Sequence, residues 1–452
     1  MRGGVFMYDL CIYNSRIMDP ESGYDAVGAV TVSGGKIVSV TREPVEAAVM
    51  IDAGGMVTAP GFIDIHTHED DISDYQELML PRQISQCAVK TGVTTIITGN
   101  CGSSSASPAK YYEAVRQNEY PCNCYMLAGN VALRRQAGLG SYDRANEVQI
   151  KDMCAILQKM FDEGAVGLSF GLQYDPGTCW EEEEALCRVV AANDKVAAVH
   201  MRYDYPEKVE ETLEEVIGLA ETTGAKFEIS HFAANIYGRG KVAWSDKRIR
   251  ESGADIACDM YPFNVWSTTI QSAVFDNGFD NFNFTVEDLE ILTGEYAGQY
   301  CNDELFKKLR KEPGNIMVAC HNAMPIEDVE NVYRLPYAML GSDGNMQATE
   351  DGHIKGHPRG AGSPARFLGH FVRERKLMDL MTGISKLTLL PARRMGLDSK
   401  GRLSVGCDAD LVVFNPETIA DRAKFGVDVC GLAPAGILFT VNGGKIVYQG
   451  DR

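Results

Sequence analysis

The chain has 452 residues, 45% of them hydrophobic, which suits one large barrel with a substantial core plus a smaller unit. Its net charge of −19, from 43 basic and 62 acidic residues, argues against nucleic acid and against anionic membranes as partners. We find no transmembrane stretch, no signal-peptide core in the first ten residues and no disulfide framework among the 13 cysteines, so we expect a cytoplasmic protein.

Both ends of the chain show strand patterns and hairpin turns. Val-Ser-Gly-Gly-Lys-Ile-Val at 32–38 is nearly repeated as Val-Asn-Gly-Gly-Lys-Ile-Val at 441–447. We interpret residues 1–58 and 398–452 as one small β-sandwich domain built from both termini. The alternative is two unrelated hairpins.

From Ala59 onward, short apolar runs alternate with amphipathic helical patterns. Eight such units predict an α/β fold, a (β/α)8 TIM-like barrel over residues 59–397. The predicted strands are Phe62–His66, Thr94–Thr98, Cys124–Leu127, Val166–Phe170, Val196–His200, Lys226–Ser230, Asp255–Asp259 and Ala338–Gly341.

One segment, about 271–316, breaks this repeat between strands seven and eight and is rich in Asn, Asp and Phe. It is longer than an ordinary connection and follows the carboxyl end of a strand, where active sites of such barrels lie. We interpret it as a lid over the site, with a disordered surface excursion as the alternative.

Polar residues at the ends of the predicted strands share one rim. Strand one leads into Ile65-His-Thr-His68, where alternation along a strand points His66 and His68 to the same side. The other candidates are Cys101 after strand two, His200 after strand five, His231 after strand six and Asp343 after strand eight. Imidazole, thiolate and carboxylate together predict a zinc site rather than a magnesium or calcium site.

This set resembles the amidohydrolase superfamily and, within it, the N-acyl-D-amino-acid deacylases, also called D-aminoacylases. Gly99-Asn-Cys-Gly102 is the most discriminating of the matching motifs. The others include Pro60-Gly-Phe-Ile-Asp-Ile-His-Thr-His68, Gly164–Tyr174, His200-Met-Arg, Ile229-Ser-His, Tyr261-Pro, Gly341-Ser-Asp-Gly, His357-Pro-Arg and Ala409-Asp-Leu-Val-Val-Phe414. They cover nearly the whole chain in the family's order.

The resemblance implies one tightly bound Zn2+ held by Cys101, His200 and His231, and a weaker second site at His66 and His68. The number of metals in the working enzyme stays open. Hydantoinases and dihydroorotases instead use a carboxylated lysine on strand four, where this chain has Ser169.

The expected mechanism is hydrolysis of an amide by metal-activated hydroxide. Zinc lowers the pKa of a bound water to about 7, so that hydroxide exists at working pH. Asp343 would accept the proton of the water and then donate it to the leaving amine. Asp343 is therefore both the predicted catalytic residue and a predicted metal ligand.

For the substrate carboxylate, the resemblance points to Arg359, whose guanidinium fork suits a planar anion. Tyr261 and Tyr174 match positions that line the amino-acid pocket, and Arg202 is a further candidate for an anionic group. Two segments depart from the family: Phe232-Ala233 replaces its His-Lys, and Tyr203-Asp204 replaces its Asp-Glu. The lost lysine puts the preferred amino acid in doubt.

We therefore expect a zinc-dependent deacylase whose partner is a small-molecule N-acyl-D-amino acid, with the D configuration resting on resemblance alone. The first alternative is hydrolysis of a cyclic amide or ureide. The second is a non-catalytic scaffold of the same fold. Whether copies of the chain form a homo-oligomer is left open.

Overall fold

The structure is a computed structural model that describes residues 8–68, 83–203, 205–238, 240–348 and 353–451. The first seven residues, which the signal-peptide prediction used, and Asp204 lie outside the described residues. Within the described part of the chain, no helix combines the length and apolar character needed to cross a membrane.

The N-terminal part is built from strands, as its alternating pattern predicts. They are β1 (Leu10–Asp19), β2 (Tyr24–Ser33), β3 (Lys36–Thr41), β4 (Val49–Asp52) and β5 (Val57–Pro60). β1 pairs antiparallel with β2 and parallel with β4 and β5. Gly34 and Gly35 have φ of 58° and 75°, which the tight turn between β2 and β3 requires.

Strands and helices then alternate, and the third barrel strand is interrupted by one residue, Leu127. In chain order the elements are β6 (Phe62–Asp64), α1 (Gln83–Lys90), β7 (Val93–Thr98), α2 (Pro108–Gln117), β8 (Asn123–Met126), β9 (Ala128–Gly129), α3 (Asn130–Gln136), α4 (Glu147–Asp162), β10 (Gly167–Gly171), α5 (Trp180–Ala192), β11 (Val196–His200), α6 (Val209–Thr223), β12 (Lys226–Ile229), α7 (Phe232–Ile236), α8 (Lys241–Ser252) and β13 (Ile256–Met260).

Helix α6 shows how the sequence determines these elements. A short 3-10 turn, Pro206–Lys208, precedes the helix, and Gly224 ends it in the left-handed conformation with φ 71°. Its apolar residues recur at helical spacing and are buried against the barrel, namely Val209, Leu213, Val216, Ile217 and Ala220.

The segment between β13 and the eighth barrel strand is ordered and has its own small sheet. It contains β14 (Trp266–Thr269), 3-10 turns at Ala273–Phe275 and Val286–Asp288, β15 (Leu289–Ile291), α9 (Asp303–Leu309) and β16 (Met317–Cys320), followed by α10 (Ile326–Tyr333). β14 and β15 both pair antiparallel with β16. Six aromatic side chains form its core: Trp266, Phe275, Phe279, Phe282, Phe284 and Phe306. A packed core with paired strands does not fit a disordered excursion.

The chain then completes the barrel and returns to the small domain. The elements are β17 (Ala338–Leu340), β18 (Met346–Ala348), β19 (Ile354–Gly356), α11 (Arg359–Arg366), a π-helical turn (Phe367–Glu374), α12 (Leu380–Leu387), α13 (Leu389–Arg394), β20 (Leu411–Phe414), a 3-10 turn (Val429–Gly431), β21 (Ile437–Asn442) and β22 (Lys445–Gln449).

Parallel pairing closes the barrel. It joins β6, β7 and β8, and it joins β9 through β10, β11, β12 and β13 to β17. The N–H of Leu127 donates to the Thr98 carbonyl at 2.8 Å and keeps the interrupted third strand in place. A bridge between Thr67 and Gly344 connects the first strand to the eighth.

The two chain ends share one sheet because β20 pairs antiparallel with β5. The Gly34-Gly35 and Gly443-Gly444 turns meet at Ala409, which donates to Gly35 and accepts from Gly444 at 2.9 and 3.0 Å. The predicted fold class, a (β/α)8 barrel with a small β-sandwich domain from both termini, is confirmed.

Candidate metal centre and active-site cavity

His66 and His68 lie just beyond β6, at the carboxyl end of the first barrel strand. The predicted strand continues to His66, whereas β6 ends at Asp64. The backbone stays fixed because Asp343 N–H donates to His66 O at 2.8 Å and His68 N–H donates to Gly344 O at 3.0 Å. The ring centroids are 5.3 Å apart, so the two imidazoles face one site as alternation predicts.

The Gly99-Asn-Cys-Gly102 turn presents Cys101 to the same site. Gly99 and Gly102 have φ of 82° and 79°, and a Cβ on either would approach backbone or side-chain atoms within 2.6 Å. Ser169, on β10, holds the turn from below: its hydroxyl donates to Gly99 O and accepts from Gly102 N–H. Ser169, which stands where hydantoinases and dihydroorotases have the strand-four lysine, therefore positions the cysteine.

We expect Ser169→Ala to lower the free energy of unfolding by about 1 to 3 kcal/mol, because it leaves Gly99 O and Gly102 N–H without their buried partner. Urea unfolding of the metal-free protein measures this. Ser245→Ala is a matched control, since Ser245 is buried but its hydroxyl has no hydrogen-bond partner in the described structure. Equal losses in the two variants would contradict the role assigned to Ser169.

Three of the predicted ligands have left-handed backbone conformations. The φ angles are 51° for Cys101, 36° for His231 and 51° for Asp343. A residue with a side chain pays about 1 to 3 kcal/mol for such a conformation, which is retained where the surrounding structure enforces it. The strain thus coincides with the residues that converge on this rim.

The potential ligand atoms form two overlapping groups among the described residues. Cys101 Sγ lies 3.4 Å from His66 Nε2 and 3.6 Å from His231 Nε2. His68 Nε2 lies 3.0 Å from Asp343 Oδ1, and His66 Nε2 is 3.5 Å from the same oxygen. His66 belongs to both groups and therefore lies between the thiol and the carboxylate.

His200 borders this cluster without belonging to either group. Its ring lies 4.5 Å from that of His231, its Nε2 is 2.7 Å from Gln173 Oε1, and its buried Nδ1 has no hydrogen-bond partner in the described structure. The division implied by resemblance, with His200 beside Cys101 and His66 in a separate site, stays a prediction.

The other imidazole nitrogens are held by residues that the sequence analysis did not single out. His231 Nδ1 lies 3.1 Å from Asn235 Oδ1, and His66 Nδ1 lies 2.9 Å from Asp259 Oδ2. Such contacts fix the tautomer and direct each Nε2 toward the cluster. The spacing His231-x-x-x-Asn235 on a helical turn was the one available sequence signal.

The electrostatics favour anionic sulfur and carboxylate at this site. Burial raises the pKa of the Cys101 thiol, but the His66 charge and the imidazole hydrogen bonds outweigh it and hold that pKa well below its ordinary value. Burial also opposes ionisation of Asp343, yet the charges of Arg359 and His66 keep its pKa well below the usual range. For His68, hydrogen bonds to Asp343 and Cys101 overcome burial and raise the pKa to about 9.

This donor set fits a zinc ion. It combines a thiolate, a carboxylate and four neighbouring imidazoles. The buried His200 Nδ1, which has no hydrogen-bond partner in the described structure, could coordinate a metal ion. Soft and borderline ligands of this kind favour zinc over the hard cations magnesium and calcium.

A cavity of about 500 Å³ opens above the cluster. Tyr261, Tyr174 and Arg359, three of the predicted substrate residues, line it. Residues of β14 and of the first part of the inserted segment, between 266 and 276, line it as well. The Arg359 guanidinium lies 4.6 Å above the Tyr261 ring and its Nη1 is 2.9 Å from Asp343 Oδ2.

Several buried polar atoms on the cavity wall have no hydrogen-bond partner within the described residues. They are Tyr261 Oη, Trp266 Nε1, Ser267 Oγ and Arg359 Nε. The sequence analysis did not single out Trp266 and Ser267, because β14 pairs with the distant strand β16, and such pairing leaves no local signal. Such groups are costly to bury unless a ligand satisfies them, so this wall is suited to a polar substrate group.

Arg202 is placed elsewhere. It does not line this cavity; its guanidinium pairs with Glu183 at 2.5 Å and with Glu215 at 2.8 Å. These two ion pairs join Arg202 to α5 and α6, and its assignment to a substrate anion stays a prediction.

The sequence profile of the amidohydrolase family matches residues 57–447, which include all six candidate ligands. The chain belongs to the amidohydrolase family. An N-acyl-D-glutamate deacylase from Alcaligenes xylosoxydans xylosoxydans is 31% identical over 97% of this chain and 93% of its own length. The resemblance to the N-acyl-D-amino-acid deacylases of this family is thereby confirmed.

Two solved amidohydrolase structures share the whole architecture. The N-acyl-D-glutamate deacylase from Bordetella bronchiseptica, complexed with zinc and a phosphonate mimic of the tetrahedral intermediate, is 28% identical with a TM-score of 0.83. That match covers 98% of this chain and 96% of the other. A D-aminoacylase with a binuclear metal center is 26% identical, with a TM-score of 0.83 and coverage of 98% and 97%.

Proposed function

We propose that this amidohydrolase is a zinc-dependent deacylase of N-acyl-D-amino acids. The observation that carries the proposal is Cys101 within 3.6 Å of two imidazoles, on a turn held by Ser169 in place of a lysine. The named activities of the similar proteins, N-acyl-D-glutamate deacylase and D-aminoacylase, support the same substrate class.

We propose Cys101, His200 and His231 as the ligands of one tightly bound Zn2+, and His66, His68 and Asp343 as the residues around a weaker second site. Zinc bound in such a site supplies Lewis-acid chemistry that polarises a carbonyl and activates water. The shared position of His66 between the two groups supports adjacent sites.

Asp343 is the group that moves the proton. Its carboxylate lies between His68 and Arg359, with one oxygen bonded to each side. Asp343 is a carboxylate at neutral pH, which is the form that can accept a proton from water. When Asp343 donates that proton to the amine nitrogen, the C–N bond can break without expelling an amide anion.

Arg359 and the orphaned donors beside it bind the substrate carboxylate in this proposal. The guanidinium is buried, stacked on Tyr261 and adjacent to Ser267, so its fork is rigid. We also propose that the inserted segment 271–316 acts as a lid, because residues 271–274, Asp276 and Asn315 of this segment line the cavity.

Arg359→Lys keeps the charge beside Asp343 but removes the fork. We expect kcat/KM for an N-acetyl-D-amino acid to fall about 10- to 100-fold, mostly through KM, since a hydrogen bond to a charged group contributes about 1.5 to 3 kcal/mol. The corresponding substrate amide, which lacks the carboxylate, should be affected much less.

Arg366→Lys is the matched control for that comparison. Arg366 lies at the other end of α11 and stacks on Phe263 as Arg359 stacks on Tyr261, but it lies outside the cavity. Its replacement should leave kcat/KM unchanged. Equal losses on the acid and the amide in Arg359→Lys would mean that Arg359 acts only through Asp343.

The second candidate is hydrolysis of a cyclic amide or ureide, favoured only by Ala233, which removes the family's pocket lysine. A panel of N-acetyl-D- and N-acetyl-L-amino acids, hydantoin and dihydrouracil, assayed with zinc-loaded protein, separates the two. Turnover of the D-acids alone supports the deacylase. Turnover of the cyclic compounds alone would reassign the enzyme.

We propose a cytoplasmic location, because all 13 cysteines are free in the structure, as expected for a reducing compartment. The complete set of candidate ligands argues against a non-catalytic scaffold.

A further inference from the structure

Asp259, at the carboxyl end of β13, is completely buried beneath the cluster of candidate ligands. Its Oδ2 lies 2.9 Å from His66 Nδ1, and its Oδ1 accepts the backbone N–H of His231 at 2.8 Å. One carboxylate therefore contacts two proposed ligands that come from strands one and six of the barrel.

The space around the Asp259 carboxylate is closely packed. Gly341 lies directly against it: a Cβ at that position would come within 2.8 Å of the Asp259 carboxylate and 2.6 Å of His66. The glycine at the end of the eighth strand thus permits the close approach of Asp259 and His66.

Glu228, on the adjacent strand β12, is buried next to Asp259 and shares a side-chain hydrogen bond with it. Two touching carboxyl groups cannot both be ionised at low cost. Both oxygens of Asp259 already face N–H groups, those of His66 Nδ1 and the His231 backbone, so the hydrogen of the shared bond comes from Glu228. Burial and the Asp259 charge raise the pKa of Glu228 well above its ordinary value, which agrees.

A buried pair of carboxyl groups contributes little to stability by itself, because each polar group loses its hydration. The role of the Asp259–Glu228 pair is instead to orient His66. Because its Nδ1–H donates a hydrogen bond to Asp259, His66 directs its Nε2 toward Cys101 and Asp343.

We propose that Asp259 is a positioning residue that fixes His66 and His231 as metal ligands, and that Glu228 orients Asp259 by donating a hydrogen bond to it. The inference rests on the proposed metal site and adds a second layer of buried acids beneath it. It concerns metal affinity first and turnover only through the metal.

The test is zinc affinity, measured by competition with a chromophoric chelator. Asp259→Asn should weaken zinc binding about 10- to 100-fold, as is typical when the partner of a ligating histidine is removed. Glu228→Gln keeps a donor at the same place and should bind zinc like the wild type. Glu228→Leu has a similar size without the donor and should bind zinc more weakly than Glu228→Gln.

Asp410→Asn serves as the control for general destabilisation. Asp410 is a buried carboxylate paired with Lys400 at 2.7 Å in the small domain, so its loss should lower the melting temperature without changing zinc affinity. If Asp259→Asn does not fold, the comparison of Glu228→Gln with Glu228→Leu tests the inference. Zinc affinity should be kept in Glu228→Gln and reduced in Glu228→Leu.

Equal zinc affinity in wild type, Asp259→Asn and Glu228→Leu would overturn the inference while leaving the metal site intact. A wild-type protein that binds no zinc would instead remove the proposed function. The two failures are therefore distinguishable in one experiment.

Discussion

Asp343→Asn is expected to lower kcat by about 100- to 10,000-fold on any N-acyl-D-amino acid that the wild type hydrolyses, which is the range of general acid–base catalysis. Asparagine preserves the size of the side chain and one carbonyl oxygen, but it cannot accept and return a proton at neutral pH. The protein should remain folded, and zinc should still bind at Cys101, His200 and His231.

The measurement is steady-state turnover together with zinc content of the same samples. Asp421→Asn is the matched control, since Asp421 also pairs with an arginine, Arg366 at 3.3 Å, but does not line the cavity. It should leave kcat unchanged. An Asp343→Asn enzyme with full zinc and near wild-type kcat would contradict the proton-transfer role.

Cys101→Ser should abolish tight zinc binding and with it most of the activity. Serine does not ionise near pH 7, so the anionic sulfur that lies beside His66 and His231 is replaced by a neutral hydroxyl. The loss of zinc affinity should exceed the roughly 10- to 100-fold that follows removal of a group behind a ligand.

Zinc content after dialysis against a weak chelator, followed by the hydrolysis assay, checks this prediction. Cys154→Ser is the control, because Cys154 is a half-buried thiol on α4 far from the cluster. Retention of one tightly bound zinc by Cys101→Ser would show that the imidazoles and Asp343 suffice, and that the thiolate is not a ligand.

The barrel could be predicted from sequence because its strands are short, mostly apolar runs, and amphipathic helices follow most of them. Buried parallel strands leave this signature in the local sequence. Pairing between strands that are far apart in the chain leaves no such signature in the local sequence. β14 and β16, which pair in the inserted sheet, lie about 50 residues apart and just outside the predicted limits of 271–316.

The candidate site shows the same division. Side chains at strand ends are visible in sequence because the barrel geometry brings those ends together, which is how His66, Cys101 and Asp343 could be grouped. Glu228 could not be recognised, since it lies inside β12 and acts through a neighbouring strand. Asp259 ends a predicted strand but was not singled out, because its contacts with His66 and His231 join different strands. The ion pairs of Arg202 with Glu183 and Glu215 could not be predicted either, because they join side chains from different helices.

The most direct measurement is hydrolysis of the two enantiomers of one N-acetyl amino acid, with zinc-loaded protein and with protein stripped by a chelator. The zinc-loaded form alone should hydrolyse the D enantiomer, and activity should return when zinc is added back to the stripped protein. Equal turnover after complete removal of the metal, or turnover of the L enantiomer alone, would contradict it.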